Sequence, residues 1–195
     1  WIFIIIGAGI TRYISDEGTL SLREGETTDS YLSDRTYITV MVDGIFEGQP
    51  LRKKQQKEVL FSVHTQNYYR WASDFKGKPF EIKYISFSAP TQGMNALTLE
   101  ISSGGERQQV TVMGHKGMVH PPVTVKINQL DFHLSYGSIY VAMPFTIKLN
   151  NFIAEKYPGT ENSYSSFKSK VTVSSKNEIF DEDIYMNHIL NYKGY

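Results

Sequence analysis

The sequence contains no cysteine, which excludes a disulfide scaffold, a CxxC redox pair, a thiolate zinc site and a cysteine nucleophile. The redox compartment stays open, because a chain without thiols is at home on either side of a membrane. An excess of either charge is missing as well, with 20 Lys plus Arg against 20 Asp plus Glu. A general nucleic-acid binder normally carries a basic surplus to displace phosphate counterions, so nucleic acid is not an expected partner. Long apolar runs are absent too. A membrane-spanning helix takes about 20 apolar residues, and the run Trp1–Ile10 is about half that length.

What the chain does have is hydrophobic material in short, alternating pieces. Apolar residues make up 41% of its 195 positions and charged ones 21%, enough to build a core and too apolar for wholesale disorder. The β-branched run Thr36–Val42 ends at Asp43-Gly44, a turn pair. Leu60–His64 and Phe80–Phe87 alternate apolar with polar, the mark of a half-buried strand. Ala96–Ile101, then Ser-Ser-Gly-Gly, then Gln109–Met113 reads as a hairpin. Further strands are expected at Val123–Ile127, Leu130–Leu134, Ile139–Met143, Phe145–Leu149, Lys170–Ser174 and Ile184–Leu190. Short helices fit only Gln49–Glu58 and Asn67–Phe75. Runs at this spacing, punctuated by Gly, Pro, Asn and Asp, predict an all-β fold, an antiparallel β-sandwich or open barrel.

The opening run has three readings. It suits a buried strand, the remnant of a signal-peptide core, or the end of a transmembrane helix. Gly7, Ala8 and Gly9 permit close helix packing in a bilayer, and Thr11-Arg12-Tyr13 supplies interfacial residues, so the end of a transmembrane helix is preferred for residues 1–13. Residues 14–195 are then expected to form one water-soluble β domain.

Catalytic patterns are scarce. The five histidines are His64, His115, His120, His133 and His188. His115 and His120 lie five apart in an expected loop, where two imidazoles can in principle meet a metal or haem iron; exposed loop histidines are the plainer account. His64 and His133 fall at polar positions of alternating strands. No GxSxG, HExxH, P-loop or GxGxxG context occurs, and Gly7-Ala8-Gly9 lacks the third glycine of a dinucleotide site. The acidic groups Glu24/Glu26 and Asp181/Glu182/Asp183 can be imagined as glycosidase carboxylates, but neighbouring exposed acids usually sit in solvated turns. The basic run Arg52–Lys57 suits anionic lipid or a charged loop. No catalytic residue and no metal site is expected, and the only haem-ligand candidates are His115 and His120.

Several segments resemble a known family in order along the chain. Ile5–Tyr13, with Asp16-Glu17-Gly18 and Arg23–Glu26, is similar to the third membrane helix leaving the bilayer in ResB/CcsB-type cytochrome c biogenesis proteins, in the version found in Bacteroidetes and often fused to a CcsA part. Met143–Leu149 with Asn151-Phe152 and Glu155–Gly159 resembles that family's "PF-I-L--F---YPG" segment. Ser169–Val173 and Ile184–Tyr195 resemble its closing "S-V-V … VN-PL-Y-GY" segment, although His188-Ile189 stands where the family has a proline. Residues 35 to 125 are weakly covered.

The resemblance implies an extracytoplasmic domain on the periplasmic side of the cytoplasmic membrane, continuing in the family through further strands and another membrane helix. It implies a part in the system II holocytochrome c synthase, the haem lyase in which ResB/CcsB and CcsA carry haem across the membrane and attach it to the CxxCH motif of apocytochrome c. The family's haem histidines lie in membrane helices and CcsA loops, so no ligand carries over and this portion itself is expected to be non-catalytic. Its implied work is to cover the external haem site, position apocytochrome c against a CcsA-like subunit or fused domain, and accept an extended segment by strand addition. Two readings from other classes remain: a membrane-tethered module binding polysaccharide or lipid, which predicts an exposed aromatic row or an apolar cavity, and a jelly-roll hydrolase, which needs paired carboxylates in a cleft.

Overall fold

A computed structural model describes residues 18–159, 163–193 and 195. Among these every regular element is a strand, and neighbouring strands are antiparallel wherever their register is defined. The strands are β1 Gly18–Thr19, β2 Thr27–Ser33, β3 Tyr37–Phe46, β4 Gln49–Glu58, β5 Arg70–Phe75, β6 Lys78–Ser88, β7 Asn95–Ser103, β8 Glu106–Gly114, β9 Val123–Ile127, β10 Leu130–Gly137, β11 Tyr140–Lys156, β12 Tyr164–Ser174 and β13 Ile179–Tyr185. The expected all-β fold holds, with open sheets and no closed barrel. The transmembrane reading of residues 1–13 lies outside the described residues, and no described helix is long and apolar enough to cross a membrane.

The chain divides into two compact units. The first, Gly18 and residues 32–139 among the described residues, contains a sandwich of two four-stranded sheets, β4-β3-β10-β9 and β5-β6-β7-β8. Its core follows from period-two alternation. Ile38, Val40 and Val42 of β3 and Leu130, Phe132 and Leu134 of β10 face Phe80 and Ile82 of β6 and Leu97, Leu99 and Ile101 of β7, all buried. Four tight turns close its hairpins at Glu47-Gly48, Lys76-Gly77, Gly104-Gly105 and Asn128-Gln129, with positive φ at both residues of each pair. That is the backbone whose twist matches paired strands, and it selects Gly and Asn.

Several expectations are corrected here. Asp43-Gly44 is no turn: Gly44 lies inside β3, where a Cβ would come 2.7 Å from Phe75 and 2.8 Å from Leu130. Its smallness answers a close approach across the sandwich. Gln49–Glu58 and Arg70–Phe75 are strands rather than helices. β4 is an exposed edge strand whose charges discourage further pairing. Leu60–His64 is not a strand. Asn67 brackets it instead, its side chain accepting from Ser62 N–H and donating to Ser62 C=O, while Phe61 packs on Tyr84, Phe87 and Tyr136.

Tyr69 is buried to 1% exposure and donates its hydroxyl hydrogen to Gln55 Oε1 at 2.8 Å. Burial raises its pKa far above the usual 10, and burial raises that of Tyr136 too. Both protons are held more tightly in the folded state, so stability is complete below pH 10 and falls as pH climbs above it. Tyr69→Phe is expected to cost about 1 kcal/mol at neutral pH and to flatten part of the alkaline loss, as read by urea midpoints between pH 8 and 11.5.

The second unit, residues 19–31 and 140–195, carries the sheet β1-β2-β11-β12-β13. Its apolar face holds Phe145, Ile147 and Leu149 of β11 and Val171 and Val173 of β12, with Leu22, Phe180, Ile184, Leu190 and Tyr192 packed on it. The two strands expected at 139–149 are one, running through Pro144; the ladder to β12 begins at Thr146, so the absent N–H costs no bond there. The strand expected at Ile184–Leu190 stops at Tyr185, where Asn187 at φ 63° turns the chain.

Candidate functional site

The second unit presents an open apolar cleft of about 680 Å³. Its floor is the sheet face, Ile147, Leu149 and Phe152 of β11, Ser169 and Val171 of β12 and Ile184 of β13; its rim is the segment Leu20–Glu24. Phe152 reaches this face through a β-bulge. Phe145, Ile147 and Leu149 alternate along β11, so unbroken pairing would turn Phe152 to the opposite face. The register slips one residue at Asn150, giving Leu149↔Val171 but Phe152↔Ser169, and returns Phe152 to the apolar side. The rim is fastened at the same place. Gly25 N–H donates to Leu149 C=O at 2.7 Å, Leu149 N–H to Glu26 C=O at 3.0 Å, and Phe152 N–H to Glu24 Oε1 at 2.6 Å.

Beyond the cleft the same face ends in aromatic rings. Ala154 pairs with Phe167, and a second slip pairs Lys156 with Tyr164. Phe152 stacks on Phe167 at 6.1 Å and 12°, Tyr164 lies 5.4 Å from Phe167, and Lys156 Nζ sits 5.8 Å over the Tyr164 ring. All three rings are about half exposed. Apolar side chains are ordinarily driven inward, so the stacked row stands out as apolar surface left in water.

The other noteworthy group is in the first unit. His115 and His120, singled out by their spacing, do meet: His115 Nδ1 is 3.4 Å from His120 Nε2, with ring centroids 5.3 Å apart. Partial burial, and then the neighbouring imidazole, lower the pKa of His120. Two axial imidazoles of one haem must stand on opposite sides of the iron with the porphyrin between them. Rings whose nitrogens face each other at 3.4 Å leave no such slot, so the pair does not suit bis-axial haem ligation.

The remaining sequence candidates have structural partners. His133 Nδ1 is 2.8 Å from Thr124 Oγ1, and its Nε2 is 3.2 Å from Asp43. Asp43 takes two bonds from Arg52, at 2.6 and 2.7 Å, and these hold its carboxyl below the ordinary range. His188 stacks on Tyr185, its Nδ1 lying 2.7 Å from Asp183 C=O and 3.6 Å from Glu182 Oε1. At His64 only the backbone is engaged among the described residues, its N–H donating to Ser62 Oγ at 3.1 Å. Glu24 and Glu26 fasten the rim, Glu26 accepting from Arg23 N–H. Asp181 accepts from Thr172 and Asp183 pairs with Lys168. In the basic run Arg52 pairs with Asp43, Lys53 with Ser73, and Lys57 sits over Tyr69. The structure brings His115 and His120 together; of the carboxylates singled out in the sequence only Glu24 lines the apolar cleft, while Glu81 and Glu106 line another open pocket in which Glu81 is paired with Arg70 and Lys83. The sequence reading passed over Phe152, Tyr164 and Phe167 as functional residues, because their shared face depends on two bulges.

A family model, the ResB-like family, matches residues 1–195. Protein NrfI of Wolinella succinogenes is 26% identical over 203 residues, an alignment that takes in 100% of this chain and 22% of the relative. The chain therefore spans about a fifth of that relative's length.

Proposed function

The chain belongs to the ResB-like family, and from that premise we propose that it is an extracytoplasmic portion of a system II cytochrome c biogenesis component, supporting haem delivery and covalent attachment to apocytochrome c. The observation that carries this reading is the family match over the full chain. In this proposal the parent protein sits in the cytoplasmic membrane with these residues on the periplasmic side, works with a CcsA-like subunit or fused domain, and binds haem outside this portion.

The cleft supplies the mechanism. Haem attachment to an unfolded client requires the client to be held, and an unfolded chain exposes the apolar and aromatic side chains that folding later buries. A 680 Å³ apolar cleft ending in Phe152, Phe167 and Tyr164 is of the size that takes a few such side chains. Aromatic anchors dominate the energetics of surfaces of this kind. The chain's own work is then to bind and orient the client while the haem chemistry proceeds elsewhere in the parent protein.

The test is made in the parent protein, in cells whose c-type cytochromes depend on it. Phe152→Ser with Phe167→Ser removes the row at half-exposed positions, where folding has little at stake. Haem-stained cytochrome c is expected to fall to about a tenth with the parent protein at its normal level; unchanged maturation overturns the role given to the cleft. A Soret band in the detergent-purified parent, and none in the 195-residue chain, is the companion expectation for haem.

A second reading has its own support. A polysaccharide- or lipid-binding module also predicts an exposed aromatic row beside an apolar cleft, and Phe152, Phe167 and Tyr164 provide one. Normal cytochrome maturation in the double variant, together with lost retention on peptidoglycan or anionic vesicles, would favour it.

A further inference from the structure

We propose that His115 and His120 form a two-imidazole site for a tetrahedral divalent transition-metal ion, Zn²⁺ being the ion the geometry fits. Zn–N bonds run about 2.0–2.1 Å, so two nitrogens on one tetrahedral ion stand about 3.3–3.4 Å apart. His115 Nδ1 and His120 Nε2 are 3.4 Å apart. Square-planar coordination, preferred by Cu²⁺, would draw cis nitrogens to about 2.8 Å with bonds of about 2.0 Å. A direct N–H···N bond also favours a closer approach, since nitrogen donors in proteins usually stand about 2.9–3.0 Å from their acceptors.

The loop carrying the pair is built into the sandwich. Ser138 is buried to 3% exposure. Its hydroxyl oxygen accepts from Gly117 N–H at 2.8 Å, its hydroxyl hydrogen goes to Arg35 C=O at 3.0 Å, and its own N–H donates to Met118 C=O at 3.0 Å. Beneath the pair runs Gly137 at φ 142°, where a Cβ would stand 2.8 Å from Met118 O, 3.2 Å from His120 Cδ2 and 3.3 Å from His115 O. Only glycine permits this approach. The backbone between the two imidazoles is thus held before any ion arrives, which reduces the ordering cost of binding.

The electrostatics agree. The one cation within the loop, Lys116, is paired with Asp34 at 2.7 Å, so its charge is compensated. Two protein ligands leave two tetrahedral positions to water, making an open, exchangeable site rather than a closed structural one.

The test uses the untagged 195-residue chain in mild detergent, titrated with Zn²⁺ against a chromogenic chelator and, separately, with Co²⁺. One equivalent of Zn²⁺ is expected, with the visible d–d bands of tetrahedral Co²⁺. His115→Ala and His120→Ala are each expected to weaken binding by about tenfold or more, while His64→Ala and His188→Ala leave it unchanged. Circular dichroism identifies any variant that fails to fold, in which case His115→Gln or His120→Gln replaces it. Binding that survives both loop substitutions, or is lost equally in the His64 and His188 controls, overturns the site; so does octahedral Co²⁺ absorption or no stoichiometric binding.

Discussion

Gly114→Ala is expected to disrupt the first unit more than any other single methyl group added to it. Gly114 ends β8, and a Cβ there would fall 1.9 Å from the carbonyl oxygen of Tyr136 and 2.7 Å from its carbonyl carbon. Both obstacles are backbone atoms near the end of β10, where Tyr136 is paired with Ile38 of β3. No side chain can swing aside, so either β8 leaves β10 or the β3-β10 ladder bends. The Tyr136 ring packs 6.0 Å from Phe61 and 5.9 Å from Phe87, and a displaced β10 takes those contacts with it. The cost is expected to be on the order of 3 kcal/mol or more, the upper end for overpacking. Gly48→Ala is the control: its φ of 77° strains an L residue but nothing lies within 4 Å, so about 1 kcal/mol is expected. Urea midpoints of the two variants measure the difference. Equal midpoints would mean that β8 and β10 do not approach this closely. Because His115 follows Gly114 directly, a folded Gly114→Ala chain should also lose its Zn²⁺ affinity.

The sandwich was legible wherever burial follows strict alternation. Ile38, Val40 and Val42, or Leu97, Leu99 and Ile101, are spaced for one face of a strand, and each is fully buried. Legibility failed where pairing, not patterning, makes the strand. β4 is almost wholly exposed, so Gln49–Glu58 shows no apolar period; the Glu47-Gly48 turn and the ladder from Tyr37↔Glu58 to Phe46↔Gln49 hold it extended. Gly44 illustrates the opposite error. A glycine after aspartate is a strong turn signal, yet what this one answers is Phe75 arriving from β5, a contact no local window contains. The cleft was hidden for a third reason. Its aromatic row is out of phase with Phe145, Ile147 and Leu149 in the sequence, and only the extra residue Asn150 restores the phase. The spacing of His115 and His120 was visible, but their meeting depends on Ser138, far along the chain, fastening the loop between them.

Phe132→Ala should cost about 3–5 kcal/mol, the range for removing a fully buried ring. Phe132 is at 0% exposure in β10, level with Val42 of β3 on one side and Val125 of β9 on the other. Its ring meets Phe80 of the facing sheet edge-on, with centroids 5.5 Å apart, and Phe80 in turn meets Trp71 at 5.0 Å. The three rings form a bridge from one sheet to the other, so the truncation leaves a void that strands fixed by ladders on both faces cannot close. Phe132→Leu keeps most of the volume and loses the edge-to-face pairing, worth about 1 kcal/mol, so it should fall well short of the alanine variant. Trp71 reports the transition through its fluorescence, being at the end of the same bridge. A small loss for Phe132→Ala would mean that the sheets collapse onto the void and that the core is looser than its burial implies. A large loss locates the rigidity of the first unit in its centre. The His115–His120 loop hangs on β10 through Gly137 and Ser138, the strand that Phe132 anchors. A 3.4 Å spacing between two imidazoles can persist only on a strand held as firmly as that.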